Sequence, residues 1–176
     1  SQGLQLLALA DDLARAREAV LARFAGGPTL SFGLGLRTSM RNQLPCRVDS
    51  VEPLGKGDST TLVHLRTPGQ VLLTSSVTRE SVDLLALRAG QEVLVLCKAT
   101  AVRVNREAEV DGAADRCALK GRIERKVRGR QRDEVVLTLD GGGQWVGFAA
   151  HPFEARKGQE AWASMAMSAL VVGLSG

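Results

Sequence analysis

The feature that most constrains the fold of this chain is an internal repeat. Residues 42–52 (NQLPCRVDSVE) align with residues 117–127 (CALKGRIERKV), and residues 90–102 (GQEVLVLCKATAV) align with residues 158–170 (GQEAWASMAMSAL). Such self-similarity indicates that one supersecondary plan is used twice. The offset falls from 75 residues (42 to 117) to 68 (90 to 158), so the second copy lacks seven residues in its middle.

Short apolar runs indicate strands within each copy. In the first copy the runs CRVDSVE, TTLVHLR, QVLLTSSV and EVLVLCKATAVRV are separated by GKGD, TPG and RAG, which are turn residues. Between the third and fourth runs, Thr78 is a candidate N-cap for a short helix that ends before Gly90, and the missing seven residues fall there in the second copy. The pattern predicts a mainly β chain of two tandem OB-like Greek-key barrels.

One amphipathic α-helix is predicted before the repeats. Residues 4–24 carry leucines and valine at helical spacing, and Gly26, Gly27 and Pro28 end the pattern. The apolar stripe of this helix packs either on its own domain or across a dimer or interdomain contact. The polar stretch 105–113 suits a linker, so we predict three segments: a helix segment 1–29, a first domain 30–109 and a second domain 110–176.

Composition excludes several classes of function. The chain has 176 residues, a net charge of +4, 3% aromatic residues and no Tyr, which disfavours a stacking platform for single-stranded nucleic acid. Three cysteines without a CxxC pair and two histidines predict neither disulfides nor a ligated metal. No Ser/His/Asp set or phosphate loop has suitable spacing, so we expect no enzyme, no catalytic residue and no cofactor. No apolar run reaches membrane-spanning length, and we expect a cytoplasmic protein without a membrane partner.

Polar side chains that suit an anion collect at three points of the first copy. Ser39 and Arg41 precede the first strand, Thr78 and Ser81 begin the short helix, and Lys98 interrupts an apolar run. Backbone N–H groups at the helix start lack intrahelical partners, and the hydroxyls add neutral donors. Two cations match a dianion. The pattern therefore predicts an oxyanion site.

Each of these residues also has a structural interpretation. Thr78 and Ser81 suit a simple helix cap, Arg41 suits an ordinary surface charge, and Lys98 suits a strand end with its ammonium group in water. Residue by residue, the pattern does not choose between these interpretations and the anion site.

The second copy provides an internal comparison. Arg116 stands where the first copy has Arg41, but Ala114 aligns with the position of Ser39 and Ala166 with that of Lys98. A shared scaffold does not require the polar groups that differ. We therefore predict that the first copy binds the anion and the second mainly supports it.

These residues resemble a known family. The segments TSMRNQLPCRV (38–48) and SSVTRESVDLLALRAGQEVLVLCKA (75–99), with the degenerate repeat after residue 114, resemble the Mop/TOBE tandem of molybdate-responsive transcriptional regulators of the ModE type. The resemblance covers about residues 30–174 and rests on a Ser-x-Arg-Asn, a Thr-x-x-Ser and a Lys-Ala motif. Met40 and the segment KATAV depart from the family pattern, which leaves the pocket shape near Lys98 less defined than its charge.

The resemblance implies an OB-like di-Mop domain that forms a homodimer and binds molybdate or tungstate between subunits. The residues it implies are Ser39, Arg41, Lys98 and the backbone of Ala99 from one protomer, with Thr78 and Ser81 from the other. In such regulators a winged-helix domain precedes a linker helix and contacts DNA. The resemblance therefore implies the effector-binding part of a regulator, which would contact DNA only through an N-terminal domain that this sequence does not contain.

Two other functions remain open. Free-standing molybdate-storage proteins, the molbindins, also consist of tandem Mop domains, although residues 4–24 would be superfluous for storage. Alternatively, the basic run KGRIERKVRGRQR (120–132) would contact nucleic-acid phosphates directly, although such charges are more often a solvated face. Ligand stoichiometry separates storage from sensing, and salt-dependent DNA retention would support the third function.

Overall fold

The computed structural model describes residues 38–109 and 114–174, and within them the chain is mainly β with one α-helix, as predicted. The predicted helix 4–24 and the segment 1–29 lie outside the described residues. The elements are β1 (Asn42–Pro53), β2 (Thr60–Arg66), β3 (Leu72–Thr78), α1 (Arg79–Leu85), β4 (Glu92–Cys97), β5 (Arg103–Asn105), β6 (Arg116–Val127), β7 (Arg132–Leu139), β8 (Gln144–Ala150), β9 (Glu160–Ala166) and β10 (Val171–Gly173). Single 3-10 turns, Ala99–Ala101 and Met167–Ala169, follow β4 and β9.

The repeat seen in the sequence is a repeat of strands. β1 and β6 are each 12 residues long and each bends at a β-bulge, between Val48 and Ser50 in β1 and between Ile123 and Arg125 in β6. The bulges lie at aligned positions of the two copies. The helix occurs in the first copy, while residues 151–159 join β8 to β9 without one. The predicted site of the deletion is therefore confirmed only in part, because the strand register places four of the seven missing residues here and three in the β6–β7 turn.

The strands form because apolar residues alternate along them. In β1, Leu44, Cys46 and Val48 are buried, and the residues between them face outward. A strand with one apolar face must bury that face against another layer. These side chains join a hydrophobic core that continues through both copies and contains Leu137 and Trp145 of the second.

The two copies exchange their last strands. β5 follows β4 in the chain but pairs with β9 antiparallel and with β8 parallel, so it completes the second barrel. β10 pairs with β4 and completes the first sheet, whose order is β10-β4-β1-β2-β3. The sequence pattern predicted a single strand over EVLVLCKATAVRV, whereas the structure divides that run into β4, the turn Ala99–Ala101 and β5. The reason is that the turn redirects the chain from one copy to the other.

The two sheets differ in how they close. In the second copy, β5-β8-β7-β6-β9 is a closed barrel, which is consistent with an OB-like fold. In the first copy, β3 and β10 are the edges, and the hydroxyl of Ser75 in β3 donates to the carbonyl of Leu170 just before β10, at 2.7 Å. The division into domains 30–109 and 110–176 remains a prediction, and the strand pairing crosses it in both directions.

Candidate functional site

Strand pairing brings the first group of predicted anion ligands together. In the β1–β4 ladder Asn42 lies opposite Cys97, so the next positions outward are Arg41 and Lys98. Ser39 is exposed two residues before Arg41, and Ala99 follows Lys98. Four of the six predicted residues therefore lie at one end of the first sheet, although they are widely separated in sequence.

Residues of the second copy pack against this end of the first sheet. Ala99 is 6% exposed and packs with Val136 and Val146, with Phe148 beside them. These three residues belong to β7 and β8 of the second barrel. The turn that follows Lys98 is thus held by apolar contacts with the second copy.

The two predicted cationic side chains, Arg41 and Lys98, differ in their contacts. The guanidinium of Arg41 forms an ion pair with Glu134 of β7, with Nη1 2.9 Å from Oε1, and the two side chains are 44% and 25% exposed. Lys98 is exposed and has no side-chain partner within 38–109 and 114–174. Its carbonyl accepts from the N–H of Ala101 at 3.0 Å and so begins the 3-10 turn. Lys98 therefore presents an unneutralised charge at the end of β4.

Thr78 and Ser81 form the predicted cap of α1. The Oγ1 of Thr78 accepts from the backbone N–H of Ser81 at 3.1 Å, and the two hydroxyl oxygens are 2.8 Å apart. The N-cap interpretation is therefore confirmed. Because one hydroxyl proton bridges the two oxygens, the other remains available to donate to a bound anion. Capping and anion binding are compatible in this geometry.

The two groups of predicted ligands lie at opposite ends of the first sheet. Arg41 and Lys98 lie just beyond the Asn42–Cys97 pair, at the start of β1. Pro53, the last residue of β1, pairs with Thr61 of β2. Thr78, the last residue of β3, pairs with Thr60 beside Thr61. β1 is 12 residues long and strands rise about 3.3 Å per residue, so one protomer does not bring the two groups into contact.

Asn42, the last residue of the Ser-x-Arg-Asn motif, joins the two copies. It is 0% exposed; its Nδ2 donates to the carbonyl of Val146 at 2.8 Å, and its Oδ1 accepts from the N–H of Val146 at 2.7 Å. The side chain thus pairs with β8 as another strand would. Sequence reasoning missed this role, although Asn42 has the same parity as the buried Leu44, Cys46 and Val48. A polar residue at a buried position was the available signal.

In the second copy, Arg116 aligns with Arg41 and belongs to a cluster around the carboxylate of Glu109. Glu109 accepts hydrogen bonds from Arg103 at 3.1 Å, Asn105 at 3.0 Å and the hydroxyl of Ser164 at 3.0 Å, and Arg116 lies 3.5 Å away. Burial raises the pKa of Glu109, but the hydrogen bonds from Ser164 and Arg103 and the charges of Arg103 and Arg116 outweigh burial, so this pKa lies below its usual value. The chain therefore supplies its own anion to the second copy.

The basic run 120–132 lies on the β6–β7 hairpin, as predicted. Some of its charges serve the barrel itself: Lys126 Nζ donates to the carbonyls of Phe153 and Ala155, and the guanidinium of Arg132 lies 4.8 Å from the ring centre of Phe148. Others have no side-chain partner in the described part of the chain, namely Arg125, Arg128 and Arg130. Among the described residues, therefore, only part of the basic run is free to contact nucleic-acid phosphates.

Other polar clusters have structural roles. Asp133 is 1% exposed and accepts from the N–H groups of Phe153 at 2.9 Å and Gly129 at 3.0 Å, and it contacts Nδ1 of His151 at 2.8 Å. The hydrogen bond from Phe153 is the main cause that holds the pKa of Asp133 well below its usual range, and those from Gly129 and His151 add to it, against an opposing effect of burial. This cluster fixes the β8–β9 connection against the tip of the basic hairpin.

Neither a metal cluster nor a membrane helix is found among the described residues. No group of three His, Cys, Asp or Glu side chains there could hold a metal ion. No helix among them is both long enough and apolar enough to cross a bilayer. An open cavity of about 500 Å³ lies on the first sheet, but its arginines are paired, Arg47 with Glu92 at 3.7 Å and Arg66 with Asp49 at 3.4 Å. None of the predicted ligands lines it.

A known domain family matches the segment that contains the predicted anion ligands. Residues 38–104 match the TOBE domain, from the Ser-x-Arg-Asn motif through β5. Residues 38–104 are therefore similar to the TOBE domain family. The resemblance noted in the sequence is thereby confirmed for this segment, and the homologues of the chain include ModE regulators.

Two curated relatives and one solved structure show the range of this similarity. The transcriptional regulator ModE of Yersinia pestis is 41% identical over 78 residues, which cover 44% of this chain and 29% of that protein. The molybdenum-pterin-binding protein MopB of Rhodobacter capsulatus is 33% identical over 110 residues, which cover 62% of this chain and 40% of that protein. The chain thus spans less than half the length of either relative.

The solved structure extends the similarity across both copies. The cytoplasmic molybdate-binding protein ModG, in a crystal form with molybdate bound, has a TM-score of 0.71 and 25% sequence identity. The match covers 79% of this chain and 99% of that one. The fold described above is therefore also that of a molybdate-binding protein.

Proposed function

We propose that this chain binds molybdate or tungstate at a site shared between two protomers of a homodimer. The observation that carries the proposal is the juxtaposition of Arg41 and Lys98 at the end of the β1–β4 ladder. Two cations match the charge of a dianion, and hydrogen bonds that involve a charged group are worth about 1.5–3 kcal/mol each. Ser39 and the backbone at Ala99 lie beside them and complete one half of the site.

Thr78 and Ser81 supply the other half from the partner subunit. Within one protomer they lie at the opposite end of β1 from Arg41, so a site that contains all six residues requires two chains. A twofold axis brings unlike surface patches together in pairs, because each patch meets its complement on the other subunit. A dimer then holds two equivalent sites, each between Arg41 and Lys98 of one protomer and the partner's Thr78 and Ser81.

The same arrangement makes binding a dimer-stabilising event. An oxyanion that contacts both subunits binds one relative arrangement of the subunits better than others, so it shifts the population toward that arrangement. We propose that the chain is the effector-binding region of a molybdenum-responsive transcriptional regulator, and the similarity to ModE of Yersinia pestis supports this role. We place the protein in the cytoplasm, the compartment named for the ModG structure.

Molybdate storage is a second candidate function, and the similarity to ModG and MopB favours it. Native mass spectrometry separates the two functions. Regulation through the proposed site predicts about one oxyanion per chain and two per dimer. Several oxyanions per chain would indicate storage.

Calorimetric titration with molybdate tests the site directly. The double variant Arg41→Ala/Lys98→Ala should abolish binding while retaining the fold, because both side chains extend from the surface. The variant Lys56→Ala/Arg88→Ala removes the same charge from exposed positions elsewhere in the first copy and should bind like the wild type. A folded wild-type protein that takes up no molybdate would refute the proposed function.

Complementation tests whether the site spans two chains. Arg41→Ala/Lys98→Ala and Thr78→Ala/Ser81→Ala should each abolish binding alone. A mixed dimer of the two variants retains one intact site, because one chain supplies both cations and the other supplies both hydroxyls. Molybdate binding that returns only on mixing supports a shared site, and a mixture that stays inactive contradicts it.

Discrimination against sulfate follows from size. Sulfate has the same charge and shape as molybdate but is smaller, so donors placed for the larger ion would not all reach it. We expect sulfate to bind much more weakly than molybdate or tungstate. Equal affinity for sulfate would contradict a pocket matched to the larger ion.

A further inference from the structure

Arg41, one of the two cations that the proposed site needs, already forms an ion pair within the protein. Nη1 of Arg41 lies 2.9 Å from Oε1 of Glu134, a residue of the second copy. Lys98 beside it has no side-chain partner in the described part of the chain. The three groups together carry one net positive charge, and a bound dianion would leave one uncompensated negative charge if the Arg41–Glu134 contact persisted.

We propose that Glu134 is an exchangeable internal anion, which pairs with Arg41 in the free protein and is displaced when the oxyanion binds. This inference rests on the proposed function. The oxyanion and the carboxylate compete for the same guanidinium hydrogens, so the affinity measured for the ligand is the affinity of the open site reduced by this competition. Glu134 thereby sets the oxyanion concentration at which the site fills.

The second copy shows what a permanent internal anion looks like. Glu109, beside the aligned Arg116, is held by two arginines, the amide of Asn105 and the hydroxyl of Ser164, which is 4% exposed. Glu134 is as exposed as Glu109, at 25%, but it has one polar side-chain partner within the described residues. A partly exposed ion pair contributes little free energy, so an external anion can displace it. The contrast gives a physical reason why the first copy binds ligand and the second does not.

Glu134 is not required to hold the two copies together. The buried side chain of Asn42 pairs with the backbone of Val146, and β5 and β10 are exchanged between the copies. These contacts remain when the carboxylate of Glu134 is replaced by an amide of the same shape. Glu134→Gln should therefore change the binding site without changing the fold.

The test compares molybdate titrations of the full chain and its variants. Glu134→Gln should tighten binding by about threefold to fivefold, the upper part of the range expected when a partly exposed ion pair no longer competes. Glu160→Gln is the matched control, because it removes a carboxylate from another partly exposed ion pair, with Lys120 at 3.1 Å. Its affinity should stay within about twofold of the wild type. Glu134→Ala serves as a second variant if the glutamine variant unfolds.

The outcomes separate this inference from the proposed function. If the wild type binds molybdate and both Glu134 variants bind equally or more weakly, Glu134 does not compete for Arg41 and the inference is wrong, while the proposed function stands. Equal tightening by Glu160→Gln would show a general effect of net charge and would also overturn the inference. If the folded wild type does not bind molybdate, the proposed function itself fails.

Discussion

The side chain of Asn42 offers the most direct test of how the two copies are joined. Asn42→Ala removes both hydrogen bonds to Val146, at 2.8 and 2.7 Å, and leaves a buried N–H and a buried carbonyl of β8 without these partners. Each buried polar group left unsatisfied costs about 1–3 kcal/mol. We therefore expect the free energy of unfolding to fall by about 2–5 kcal/mol, a large part of the 5–15 kcal/mol typical of a folded domain.

Thermal and urea unfolding followed by circular dichroism measure this loss. For a chain of this size, the expected loss lowers Tm by roughly 4–20 °C. The matched control is Gln43→Ala, since Gln43 is adjacent and partly exposed and, among the described residues, its amide has one hydrogen-bond partner, the carbonyl of Met40 at 3.4 Å. The control should lose less than about 0.5 kcal/mol. An Asn42→Ala protein that is as stable as the control would show that the contact between the copies does not depend on this side chain.

Other predictions follow from single contacts. Asp133→Asn should lower the free energy of unfolding at neutral pH. The pKa of Asp133 lies below that of an unfolded Asp, about 3.9. The difference in unfolding free energy between the two proteins should therefore disappear as the pH falls through the lowered pKa of the folded state. Glu109→Gln should lower the unfolding free energy by about 1–2 kcal/mol in chemical denaturation, and no loss would contradict a fixed internal anion. Thr78→Ala should lower the free energy of unfolding by about 1 kcal/mol, because the helix loses its N-cap. A variant as stable as the wild type would show that the cap does not contribute. Burial raises the pKa of Cys46 to about 12, so this thiol should resist alkylation at pH 8 until the protein is denatured, and rapid labelling of Cys46 in the native protein would be inconsistent with the structure.

Much of the fold was predictable because it is written in local patterns. The alternation of buried and exposed residues in β1 and β2 and the cap at Thr78 both follow from residues close together in sequence. The candidate site was predictable in part. The motifs named Arg41 and Lys98, and antiparallel pairing places these two side by side.

The exchange of β5 and β10 was not predictable from these patterns. A strand of three residues has the same alternation whichever sheet it joins, and the direction of the turn after Lys98 decides the partner. The contacts of Asn42 and Glu134 were missed for a related reason. Each joins residues about a hundred positions apart in the chain, and no local period encodes such a pair.

The sequence by itself determined most of the strands, the short helix, the duplication and the resemblance to the TOBE family, because spacing, capping and motif residues act over a few positions. The tertiary structure alone decided which strand completes which copy and that Arg41 already has a counter-ion. It also decided that the hydroxyl pair of Thr78 and Ser81 lies at the far end of the first sheet from the cations. These properties depend on how distant segments pack, and packing depends on the whole chain at once.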